Sequence, residues 1–120
     1  MINGTVTVDG EPVVVLPVGG QEWPSIVDTG FNGDLELPES LKPLVNARFK
    51  GRYRSLLAGG QTVVEDTYRI DFPFDDQTVM AEATFVTGSE ILIGTHLLRR
   101  YRLEINFPDR RVLLERVLRP

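Results

Sequence analysis

The chain has 120 residues, 42% of them hydrophobic and 25% charged, which suits one soluble globular domain over residues 1–120 and is too short for two lobes. A net charge of −4 supplies no global basic field, so neither nucleic acid nor membrane is expected as a partner. Without cysteine there is no disulfide, thiolate metal site or cysteine nucleophile. The absence of a basic-then-apolar leader leads us to expect a cytoplasmic location.

Alternating apolar and polar residues dominate. Residues 5–8 read as a strand closed by the hairpin signal Asp9-Gly10. A strand over 12–18 turns at Gly19-Gly20 into an apolar segment that ends at Asp28. Residues 34–37 form a short strand stopped by Pro38, and 39–47 hold one or two helical turns limited by Pro43. Segments 52–58 and 61–72 flank Gly59-Gly60, a link suited to a tight hairpin. Asp75-Asp76-Gln77 turns the chain into a β-rich segment over 78–87, and 90–93 is a short apolar strand. Thr95 is placed to cap a helix running to Tyr101, with Leu97, Leu98 and Tyr101 on one face. Strands over 103–107 and 112–118 complete an all-β chain of about ten strands, expected to form a barrel.

The run Ile26-Val27-Asp28-Thr29-Gly30 carries the chemistry. It sets one carboxylate at the end of an apolar strand, beside a hydroxyl and a glycine that lets backbone approach closely. Average residue usage gives a chance Asp-Thr-Gly in a chain this long at roughly 2%. Peptide hydrolysis by carboxylates needs two of them sharing a proton and holding one water. The chain supplies one such motif; Glu65-Asp66-Thr67-Tyr68 lacks the glycine. The second carboxylate must then be Asp28 of another copy, across a two-fold axis.

On this motif, and on Ile91-Leu92-Ile93-Gly94-Thr95-His96-Leu97-Leu98 near the C-terminus, the chain resembles the retropepsin-like aspartic proteases. The resemblance implies a closed β-barrel with a flap hairpin and one short C-terminal helix. It also implies a homodimeric aspartic endopeptidase that hydrolyses a peptide or protein substrate with no cofactor or metal. Catalytic roles pass to Asp28, which activates water, to Thr29, whose hydroxyls interlock between subunits, and to Gly30, whose backbone bonds substrate. The flap maps to about residues 52–67, with substrate contacts at Leu57, Ala58, Gly59 and Gly60; Val86, Ile91 and Ile93 are candidate pocket walls. An ordinary surface hairpin is the competing reading of the flap segment.

Phe31 and Asn32 stand where the retroviral enzymes carry a small and an acidic residue, and Thr95 stands where they carry an arginine paired with that acid. A neutral contact can replace the pair, while Phe31 either packs in the core or narrows the cleft. Retroviral dimers are also held by terminal strands. Residues 112–118 and 1–8 can serve so, or be edge strands of the monomer's own sheet. An alternative function is a catalytically weak or inert retropepsin-fold module for peptide binding or dimerisation.

Other features carry less. Arg48, Lys50, Arg52 and Arg54 recur every second residue and read as one basic stripe on a solvated strand face. His96 is the only histidine, which excludes a Ser-His-Asp triad elsewhere and a histidine-rich zinc site.

Overall fold

The computed structural model describes residues 1–57 and 59–118. Ten strands form one sheet: β1 (Ile2–Val6), β2 (Pro12–Val18), β3 (Gln21–Val27), β4 (Leu35–Pro38), β5 (Arg48–Leu56), β6 (Thr62–Phe74), β7 (Gln77–Val86), β8 (Ile91–Ile93), β9 (Tyr101–Asn106) and β10 (Arg111–Arg116). A 3-10 turn, η1 (Glu39–Leu44), follows β4, kept short by Pro43. No helix among the described residues is long and apolar enough to cross a membrane.

Turn chemistry fixes most of the connections. Gly19 and Gly20 both take positive φ between β2 and β3, and Asp75 and Asp76 do the same between β6 and β7. Two successive left-handed residues match the twist of antiparallel strands, and aspartate tolerates that region better than most side chains. The core gathers the inward residues of these strands, with Phe72, Leu35, Leu37, Ile70, Ile91, Ile93 and Leu114 fully enclosed. Burying each contributes about 1.5–3 kcal/mol.

Four expectations need correction. The sheet runs β5-β6-β7-β4-β8-β3-β2-β1-β10-β9 and is not closed, so it is no closed barrel. β5 contains no buried residue; its apolar Phe49, Tyr53 and Leu56 stay largely exposed, and β9 lies at the far edge of the sheet. The C-terminal helix is absent. The N–H groups of Thr95 and His96 go to Phe31 O and Gly33 O, while Arg99 and Tyr101 donate three residues back, and Tyr101 is drawn into pairing with Arg116. The terminal strands are not edges either: β1 lies between β2 and β10, and β10 between β1 and β9.

The basic stripe is broken by a bulge between Phe49 and Gly51. Arg48 faces Arg69 but Arg52 faces Asp66, positions of opposite parity on β6, so the cations divide between the two faces. Arg48 pairs with Asp71, Lys50 with Glu82 and Arg52 with Asp66.

Candidate active site

The Asp28 turn rests on β3, β8 and β4. β8 sits between the other two, parallel to β3 and antiparallel to β4. Their buried residues Val27, Ile93 and Leu35 anchor the strand ends, so the loops leaving them must cross in close contact. Asp28 N donates to Ile93 O at 2.9 Å, Thr95 N to Phe31 O at 2.8 Å, Gly94 N to Asp34 O at 2.9 Å and His96 N to Gly33 O at 3.1 Å. Glycine is required at the crossing: a Cβ on Gly94 would stand 2.1 Å from Gly33 O.

Asp28 itself is half-buried, while Thr29 and Gly30 are exposed. Gly30 N donates to Asp28 Oδ1 at 2.9 Å, which orients the carboxylate and leaves Oδ2 without a donor among the described residues. The three motif residues thus sit together on an open turn. A carboxylate held there can act on water or on a second carboxyl brought to it.

Phe31 is half-buried, its ring packed over Gly33 and close to Gly94. With Thr67 and Thr84 it lines a pocket of about 140 Å³, so it shares core and surface roles. Thr95 Oγ1 donates to Asn32 Oδ1 at 3.4 Å, a long neutral contact where the retroviral enzymes have an ion pair.

Other predicted site residues separate. The β5–β6 hairpin exists, and Leu57, Gly59 and Gly60 are exposed at its tip. Among the described residues, nothing beyond the chain neighbours approaches within 4 Å of where a Cβ would stand on Gly59 or Gly60. Ala58 lies outside the described residues. Val86 is half-buried at the end of β7. Ile91 and Ile93 are fully enclosed in the core, and so are corrected from pocket walls to supports of the Asp28 turn.

Two groups escaped the sequence reading. Leu35 and Leu37 point inward, which sends Glu36 to the opposite face, and its carboxyl is pushed above its ordinary value by burial, then by Glu65 and Asp28. Glu36 therefore feels both the hairpin's Glu65 and the Asp28 turn; the Leu-Glu-Leu alternation was the available signal. Asp34 is buried, accepts from Glu82 N at 2.9 Å, and has His96 Nδ1 at 2.6 Å from its other oxygen. The two partners, 62 and 48 residues away in sequence, left no local pattern to read.

No family profile matches the chain, and no curated protein matches it in sequence. Solved structures match in fold. A retropepsin-like aspartic protease from Rickettsia conorii superposes with a TM-score of 0.64 at 16% identity, over 93% of this chain and 87% of that one. The foamy viral protease-reverse transcriptase in complex with an RNA/DNA hybrid gives 0.60 at 20% identity over 78% of this chain. Its dRH form in complex with double-stranded DNA gives 0.58 at 18% identity over the same share. This chain spans only 13% and 16% of those two viral chains. The fold is retropepsin-like.

Proposed function

We propose that the protein is a homodimeric aspartic endopeptidase whose active site forms when Asp28 of two copies meets across a two-fold axis. One observation carries this reading: half-buried Asp28 and exposed Thr29 and Gly30 share a turn fixed by the Gly94–Gly33 crossing, with Asp28 Oδ1 held by Gly30 N and Oδ2 without a donor among the described residues. A single chain offers one such carboxylate, and the reaction needs two sharing one proton.

In the dimer, the ionised Asp28 takes a proton from the bound water as its oxygen attacks the scissile carbonyl carbon. The protonated Asp28 donates to the carbonyl oxygen, giving a tetrahedral diol. Collapse breaks the C–N bond as the amine receives a proton, and the two carboxyls again share one proton between them. The β5–β6 hairpin serves as the flap over an extended peptide, whose backbone is gripped in β fashion. Glu36 and Glu65 add negative charge beside the cleft.

The test is cleavage of a diverse peptide mixture, read by mass spectrometry, for wild type and Asp28→Asn at a concentration where dimer is confirmed. Products made only by wild type are expected. Identical product sets would overturn the peptidase and leave the peptide-binding or dimerisation module.

A further inference from the structure

The sheet leaves two strand edges unpaired, β5 and β9, and their charges make them opposites. β5 carries Arg48, Lys50, Arg52 and Arg54 and no acid. Two copies of β5 laid antiparallel about Tyr53 would oppose Arg52 to Arg54 at both symmetry-related contacts, which disfavours self-pairing. A β5–β9 contact between copies would be head-to-tail, leaving a free edge at each end and growing into a chain.

β9 reads Tyr-Arg-Leu-Glu-Ile-Asn over Tyr101–Asn106. It is self-complementary about Leu103. When two such strands run antiparallel with Leu103 opposite Leu103, Arg102 of each copy faces the partner's Glu104, and Tyr101 faces the partner's Ile105. The apolar set Tyr101, Leu103 and Ile105 is half-buried in the single chain, while Arg102 and Glu104 are exposed and, among the described residues, pair with each other at 3.0 Å. The strand begins directly after the 95–100 turn that bonds to the Asp28 loop through Thr95 N and His96 N. β1 and β10, the terminal strands, are unavailable because each already has a neighbour on both sides.

We propose that β9 is the dimer seam: it pairs antiparallel with β9 of a second copy about a two-fold axis at Leu103, making one continuous sheet through both chains. The proposal deepens the two-chain reading above and rests on it for the identity of the partner.

Sedimentation equilibrium on charge-swapped variants tests it. R102E alone places acid against acid at both symmetry-related contacts, and E104R alone places cation against cation. Each is expected to weaken dimerisation roughly 10- to 30-fold, from two cross-strand pairs changing from attractive to repulsive. Mixing R102E with E104R restores opposite charges at both contacts, as does the R102E/E104R double variant, and both are expected to recover the dimer. Unchanged dimerisation in the single variants, or a mixture that stays monomeric, overturns the seam. Should a single variant fail to fold, hydrogen exchange of wild type decides. The β9 amides gain protection as concentration drives dimerisation if the seam is correct, and stay unprotected if it is not. A wild-type dimer that cleaves peptides but ignores the swaps refutes the seam alone. One that obeys the swaps but cleaves nothing refutes the peptidase alone.

Discussion

The Asp28 turn and the tip of the β5–β6 hairpin both end in glycine, yet the chain treats them in opposite ways. Around Asp28, backbone N–H groups reach across to Ile93, Phe31, Asp34 and Gly33, and a missing Cβ at Gly94 is what allows the crossing. At the hairpin tip, Leu57 N to Gln61 O and Gly60 N to Leu57 O close the turn, and Leu56, Leu57 and Val64 face solvent. Dense packing goes to the turn on which the proposed reading places the chemistry, and a surface that touches little is left at the tip that it assigns to the ligand. The contrast lives in packing, and stability and activity should divide along it.

The largest effect is expected at the crossing. Gly94→Ala drives a Cβ against backbone that has no side chain to move aside, and should cost about 3 kcal/mol in urea unfolding. A loss under about 1 kcal/mol would show the loops free to part. Next comes Asp34→Ala, which leaves Glu82 N without its acceptor and should cost about 2 kcal/mol by the same measurement. At the tip, Leu57→Ala should leave stability within about 0.5 kcal/mol of wild type while raising KM. A Leu57 variant that unfolds as readily as the Gly94 one would erase the distinction.

The smallest effect sharpens it through pH. The Glu36 carboxyl is raised above its ordinary value, mainly by burial. The folded chain holds that proton more tightly than the unfolded chain, so its stabilising contribution is complete below the ordinary value and is lost as pH rises through the folded one. Glu36→Gln removes that loss. The variant should match wild type in acid and exceed it in melting temperature toward neutrality. No divergence with pH would place Glu36 in water, away from Asp28 and Glu65.

Much of this was legible because the signals were local. Hairpin turns at Gly19-Gly20 and Asp75-Asp76, the stop at Pro38 and the Asp-Thr-Gly turn each depend on adjacent residues. What failed depends on partners far along the chain. The 95–100 segment carries a helical pattern, but its first donors are taken by Phe31 and Gly33 and its end by β10. Ile91 and Ile93 look like pocket walls until strands on both sides enclose them. The bulge after Phe49 leaves no trace in the alternation of cations, and strand order decides that β9 rather than β10 is the edge.

The central claim is that two chains supply one site, and titrating Asp28→Asn into wild type tests it most directly. With subunit exchange complete and mixed dimers confirmed by native mass spectrometry, cleavage should fall in proportion to the wild-type fraction, to about half at equal amounts, because mixed dimers carry one aspartate. Cleavage that stays constant as the inactive chain is added would mean that each wild-type chain works alone, and would contradict the shared dyad.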